Sequence, residues 1–364
     1  MLYQEPNPLP IDIDNNMPLD RKEINDFTYK GLSDYKKAYS LSLKLKNNIP
    51  ERTLDSLLKE RDSSKKVLII YNNSKYSGNY FTALRISKYF LNSKMLNLKE
   101  IEFKNIFDNV KDKYEHIIAV HLHKCSQYLQ DFKIPYTIIM GGTDCYLDDN
   151  DKLENYYNIL NRSLSVVVFN QSMKKLIEKN YKGFNKNINI IPQSVDIVYQ
   201  PEEIKEKIYY LWVGKLRKIK DPELFINLAL DNPIKNFIMI GEVSKEYENY
   251  KFPENLKYLG TKDRNTVLNY INKAECLINT SIEEGMSDVI LSALGLGTKV
   301  IARNNSGNLE IIKNLKTGYI FKTKTELNNL INSKLNDITL NGKIYIHNNH
   351  NFINENLKYQ NLIN

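Results

Sequence analysis

Between Asn279 and Ile312 the sequence reads NTSIEEGMSDVILSALGLGTKVIARNNSGNLEII, which sets a carboxylate, a glycine and a hydroxyl residue at the mouth of a helix. Val289, Ile290, Ala293 and Leu294 recur at helical spacing, so a helix is predicted from about Ser287 to Gly295 or Gly297. Ser287 can cap it, and the unpaired amides of the first turn, with the positive end of the helix dipole, form an anion site. Gly285 lets a phosphate approach the backbone, and Glu284 can accept hydrogen bonds from hydroxyls of the same ligand. A second charged segment, GKLRKIKDP, follows an apolar run at Gly214 and brings Lys215, Arg217 and Lys220 to one turn, where fixed cations suit a diphosphate. Earlier in the chain, Ser77, Gly78 and Asn79 stand between an apolar run and the helical stretch TALRISKYF, while His121 and His123 close another run.

Short apolar runs alternating with amphipathic stretches must position these groups. VLIIY at Val67, IIAVH at Ile117, YTIIM at Tyr136, VVVF at Val166 and INIIP at Ile188 make one series. YYLWVG at Tyr209, NFIMIG at Asn236, LKYLG at Leu256, ECLINTS at Glu275, KVIA at Lys299 and GYIF at Gly318 make another. Runs that are apolar throughout predict strands buried on both faces, hence two parallel sheets each flanked by helices. The fold class is α/β, with two doubly wound, Rossmann-like domains at 66–204 and 205–343 facing across a cleft. Pro192 to Lys207 is the linker candidate, and 1–65 reads as a proline-containing tail with peripheral helices, where Leu54, Leu57 and Leu58 keep helical spacing.

Composition narrows the function. The sequence holds no GxGxxG, GxxxxGK[ST], HExxH or GxSxG, so dehydrogenase, P-loop, zincin and α/β-hydrolase chemistries lose their usual motifs. Three cysteines, Cys125, Cys145 and Cys276, form no CxxC pair, which fits a reducing compartment. No apolar run approaches the roughly 18 residues of a membrane span, and MLYQEPNPLPIDIDNN lacks the features of a signal peptide. A cytoplasmic protein without a transmembrane segment is expected, peripheral membrane contact remaining open. The net charge of +8 is spread along the chain, so no nucleic-acid partner is expected.

The segment from Asn279 resembles the nucleotide-sugar-binding signature of family four GT-B glycosyltransferases, E-G-x-S/G before a helix and G-x-P-V-I-A. EEGMSDVILSAL and KVIARNNSGNLEII look closest to the glycosyltransferase-one-domain-containing subfamily, with its SEGMSxxILEAM and PVLARNxxGN. LRKIKDPELF, MGGTDCYLDD, VHLHKC and SGNYFTALR extend the likeness in the same order, from Val67 to about Phe321. The resemblance implies retaining transfer from a nucleotide diphosphate sugar to an unidentified acceptor (glycan, small molecule, lipid or protein), without cofactor or metal. It also implies a C-terminal helix, 344–364, crossing back to the first domain.

Carried over residue by residue, Glu284 faces the donor sugar, and Lys220 matches the family lysine while Arg217 or Lys215 replaces its arginine. Gly214, Gly285, Met286, Ser287, Asp288 and Ser292 complete the donor set. His121 and Asp144 join Glu284 as catalytic candidates, with Ser77, Gly78, Asn79, Gly141, Gly142 and Thr143 lining the acceptor side. Gly141 stands for the histidine of H-G-T-D, Thr298 for a proline, and Ser292 for the second glutamate, which in the family holds the nucleotide ribose. A serine offers one hydroxyl in place of a carboxylate clamp, which leaves a weakened protein that binds a nucleotide sugar or partner without turnover as the alternative.

Overall fold

The computed structural model describes residues 65–100, 110, 113–146, 150–181, 184, 187–195 and 208–363, together with a short antiparallel pair, Ile11–Asp12 with Met17–Pro18. The expected peripheral helices and the linker beyond Val195 fall outside the described residues.

The first apolar series forms β1 (Val67–Tyr71), β3 (His116–Val120), β4 (Tyr136–Ile139), β5 (Ser165–Val168) and β6 (Ile188–Ile190). A further strand, β2 (Ser93–Asn97), completes a six-stranded parallel sheet in the order β2-β1-β3-β4-β5-β6. The pattern SKMLN gave no apolar run because β2 is the edge strand and only its last residue is buried. Helices α1 (Gly78–Ser87), α2 (Leu122–Leu129), α3 (Gly142–Cys145), α4 (Asn150–Arg162) and α5 (Gln171–Asn180) connect these strands. The central strands β1, β3, β4 and β5 are buried along their whole length, as the unbroken apolar runs require.

The second series forms β7 (Tyr210–Val213), β8 (Phe237–Ile240), β9 (Leu256–Tyr258), β10 (Cys276–Asn279), β11 (Lys299–Arg303) and β12 (Tyr319–Phe321). They make a second six-stranded parallel sheet ordered β9-β8-β7-β10-β11-β12. Its helices are α6 (Pro222–Asp231), α7 (Arg264–Lys273), α8 (Asp288–Leu296), α9 (Ser306–Ile311) and α10 (Lys324–Asn332). Asp221 caps α6 and Pro222 takes its first position, where the missing N–H costs nothing. Ser287 caps α8, which Gly297 ends in a left-handed conformation at φ 77°. Two α/β lobes result, both within one compact unit.

The chain closes with α11 (Thr339–Asn349) and α12 (Phe352–Ile363) rather than one helix from Ile344, the break falling at His350. Helix α12 packs on the first lobe. Tyr359 and Ile363 join that lobe's core, and Glu355, only 2% exposed, takes up Arg85 at 3.0 Å, Tyr89 Oη at 2.6 Å and the Ser194 amide at 2.5 Å. Among the described residues no helix is long and apolar enough to cross a membrane.

His116, at the start of β3, is 1% exposed and its Nε2 lies 2.9 Å from Thr137 Oγ1. Burial, with Lys65 nearby, pulls its pKa down from 6.5 to about 4. The unfolded chain takes up this proton near the ordinary value and the folded chain only near the lowered one. The contribution to stability is therefore complete above the ordinary value and is lost as pH falls toward the lowered one, by about 3 kcal/mol. Urea unfolding at neutral pH and near pH ~4.5 should show a smaller acid loss in His116→Gln than in the parent protein. An identical loss in both would contradict the buried neutral imidazole.

Candidate active site

Open parallel sheets bind ligands where the strand order reverses, outside the carboxyl ends of the two strands flanking the switch. In the second sheet those strands are β7 and β10, and the loops that follow them are the two charged segments singled out above. After β7, a single 3-10 turn, Lys218–Lys220, carries Lys220 toward the β10 loop. Lys220 Nζ donates to Glu284 Oε1 at 2.5 Å, and the same oxygen accepts from Ser281 Oγ at 2.8 Å and Asn279 Nδ2 at 3.3 Å. Glu284 Oε2 accepts no hydrogen bond from a described residue. Burial raises the Glu284 pKa, but Lys220 and these hydrogen bonds outweigh it, and the net shift is downward, so the side chain is a carboxylate.

Just beyond Glu284, the Ser287 hydroxyl accepts from Ile290 N at 3.5 Å, and the amides of the first turn of α8 lack helical partners. Asp288 in that turn pairs with Arg264 at 2.7 Å. Lys215 is engaged by Glu242 at 2.8 Å, whereas Arg217 is exposed and has no ion-pair partner among the described residues. Sequence reasoning passed over Lys124, on the first turn of α2 in the other lobe. Burial, and then Arg217 and Lys215, lower its pKa. The only signal for Lys124 was its place in VHLHKC at the end of β3.

The Glu284–Gly285 backbone runs between two glycines. A Cβ on Gly142 would stand 2.9 Å from Gly285 N, and one on Gly307 would stand 2.1 Å from the Glu284 carbonyl oxygen. Neither glycine has positive φ, so close approach alone excludes a side chain at both. Gly285 thus meets the backbone of the first lobe at the face that was expected to admit phosphate. Three consecutive carbonyls of this turn accept from that lobe: Glu284 from Tyr146 Oη at 3.3 Å, Gly285 from Asn170 Nδ2 at 2.7 Å, and Met286 from Gln193 Nε2 at 3.3 Å. The Met286 side chain, placed in the donor set by sequence, packs instead against the core of the first lobe.

In the first sheet the order reverses between β1 and β3, and His121 follows β3 with φ 80°, a left-handed value rare outside glycine. The tetrapeptide Gly141-Gly142-Thr143-Asp144 accounts for it. A Cβ at Gly141 would lie 2.5 Å from His121 Cδ2, so only glycine leaves room for the imidazole. Thr143 Oγ1 lies 2.8 Å from His121 Nε2, and Asp144 Oδ1 lies 2.7 Å from Nδ1, out of line for a hydrogen bond. Asp144 itself is fully buried, and its oxygens accept from the amides of Gly141, Leu122 and His123 at 2.7, 2.8 and 3.0 Å. It therefore corrects the sequence reading: Asp144 holds the His121 turn from behind and is a positioning residue. His123 is exposed and its Nδ1 is bonded to Tyr156 Oη.

On the β1 side, Ser77 caps α1 by accepting from Tyr80 N at 3.3 Å, Gly78 is exposed, and the Nδ2 of Asn79 is buried without a partner. Gly214 sits under the Trp212 ring, 3.1 Å from where a Cβ would stand. Ser292 departs most from expectation. Inside α8 it is 1% exposed, and its Oγ has no hydrogen-bond partner. In this conformation it presents no accessible hydroxyl to a ribose.

Residues 196–350 match the family model described as glycosyl transferases group 1. The chain is similar to Glycosyltransferase 1 domain-containing protein 1 of Xenopus tropicalis, with 27% identity over 343 residues, 82% of this chain and 97% of that one. Among solved structures it is similar to Anabaena Alr3699/HepE in complex with UDP-glucose, with TM-score 0.70, 14% identity, and coverage of 81% of this chain and 98% of that one. Sucrose-phosphate synthase from Thermosynechococcus elongatus gives TM-score 0.68 and 14% identity, over 81% of this chain and 97% of that one. Residues 196–350 are thus similar to the group 1 glycosyl transferases, and the two six-stranded parallel sheets give the chain the GT-B fold of these solved structures.

Proposed function

We propose that the protein transfers a sugar from a nucleotide diphosphate donor to a hydroxyl acceptor, with retention of anomeric configuration and without a bound metal. The observation that carries this reading is the Lys220–Glu284 pair at the switch point of the second sheet, beside the capped start of α8. Glu284 keeps one carboxylate oxygen for donor-sugar hydroxyls, while Lys220, Arg217 and the α8 amides face the growing charge of the diphosphate. In the reaction, the acceptor oxygen bonds to the anomeric carbon as the bond to the diphosphate breaks, and the acceptor proton passes to the departing diphosphate. The Anabaena relative solved with UDP and glucose supports a nucleotide sugar as donor. The three cysteines are buried and none is in a disulfide, which supports a reducing compartment, and we place the protein in the cytoplasm.

Ser292 favours a second reading, donor binding without turnover, since the carboxylate expected on the ribose is missing and the serine replacing it is buried. Thermal shift with UDP-, GDP- and ADP-sugars identifies the donor, because a ligand at about a hundred times its dissociation constant stabilises by roughly 2.7 kcal/mol. Product anomers read by NMR then decide retention.

Glu284→Gln should lower transfer by about 100-fold, equivalent to roughly 3 kcal/mol, with little change in nucleoside diphosphate affinity. Transfer by this variant at the parent rate would remove Glu284 from the chemistry, and absence of transfer by the parent chain with a donor that binds would favour the second reading. Ser292→Ala should leave nucleoside diphosphate affinity within about twofold and stability unchanged or raised by up to about 1 kcal/mol, because it removes an unpaired buried hydroxyl. A destabilised variant, or one with clearly weaker affinity, would mean that the hydroxyl has a partner.

A further inference from the structure

With the donor groups on the second sheet, the crevice of the first sheet, between β1 and β3, is left for the acceptor. Its two loops are tied together, Asn72 Nδ2 donating to the Lys124 carbonyl at 3.1 Å. Four aromatic rings cluster on the β1 side. Tyr71 and Tyr80 have centroids 5.9 Å apart, Tyr80 and Phe81 5.3 Å apart, and Tyr76 lies 6.3 Å from Tyr80 and 6.4 Å from Phe81. Tyr71 is buried and Tyr80 and Phe81 are half-buried, but Tyr76 is 42% exposed. Its φ of 69° is left-handed, which costs a residue with a side chain on the order of 1–2 kcal/mol. Local preference alone would not put an aromatic residue there.

The chain around Tyr76 leaves space at Gly78 and sets a cation over the ring. Nothing lies within 4 Å of where a Cβ on Gly78 would stand, and Asn79 Nδ2 is buried without a partner. Lys75 Nζ lies 5.4 Å from the Tyr76 centroid. The cluster also adjoins the donor helix: the Arg264 guanidinium is 5.3 Å from the Phe81 centroid, and the same side chain bonds Asp288, the first residue of α8, at 2.7 Å.

Building on the transferase reading above, we propose that Tyr76 is the stacking platform for a saccharide acceptor, with Gly78 leaving room for the sugar ring. A pyranose presents a flat face of C–H groups to an aromatic ring and hydroxyls around its edge. A lipid tail or an extended peptide has no such face, and a wholly apolar acceptor would not suit a ring with the Lys75 ammonium over it.

Calorimetry on the full chain first identifies the nucleoside diphosphate that binds. Saturation-transfer NMR on the protein loaded with it then uses methyl pyranosides of the common hexoses as probes. At least one pyranoside should receive saturation from the parent protein and from Tyr76→Phe, and Tyr76→Ala should lose it at least fivefold with unchanged nucleoside diphosphate affinity. No saturation of any pyranoside by the loaded parent protein, or equal saturation in Tyr76→Ala, overturns the platform while leaving the donor site standing. Failure of every nucleoside diphosphate to bind overturns the transferase reading and the platform with it.

Discussion

The Glu284–Gly285 peptide passes between Gly142 of the first lobe and Gly307 of the second so closely that neither glycine could bear a methyl group without displacement of backbone. Tyr146, Asn170 and Gln193, all in the first lobe, then take the carbonyls of Glu284, Gly285 and Met286 in turn. The carboxylate proposed for the donor sugar is therefore held by the second lobe, through Lys220, Ser281 and Asn279, while the first lobe holds the backbone of the same residue. Buried carbonyls must find donors, and here those donors come from the partner lobe, so separating the lobes would leave polar groups of the donor turn unpaired. In the proposed function, donor binding and lobe contact are therefore coupled through this one turn.

A second constraint steadies the same arrangement from behind. Gln193 donates to the Met286 carbonyl and its Oε1 accepts from Arg85 at 3.4 Å; Arg85 in turn pairs with Glu355 on α12. The C-terminal helix thus anchors the residue that supports the donor turn. A buried ion pair of this kind is weak evidence for net stability, because desolvation offsets much of the attraction. Its geometry, with Tyr89 Oη and the Ser194 amide also on Glu355 Oε2, specifies how helix, linker and first lobe meet.

The parts of this structure legible in the sequence were those that one segment encodes by itself. Unbroken apolar runs gave the central strands, Ser287 marked the start of α8 and Gly295 or Gly297 its end, and the charged loops after β7 and β10 stood out by composition. What escaped depends on distant residues. Edge strand β2 is half solvated and carries no unbroken apolar run, and the need of Gly142 and Gly307 for small size arises only where two loops touch. Asp144 looked catalytic by its place in G-G-T-D, and only the fold shows backbone amides occupying its oxygens. Tyr76 is one of 25 tyrosines, and nothing local marks it as the one that has left-handed φ among the described residues.

The central claim is that a nucleotide sugar sits at the switch point of the second sheet, on the loop after β7 and the turn that opens α8. Hydrogen–deuterium exchange of the full chain, with and without the donor that gives the largest thermal shift, addresses it most directly. Donor binding at this site slows exchange in 214–221 and 284–290. Protection confined to the first lobe, or to the surface around α11 and α12, with both of these segments exchanging as before, would contradict it.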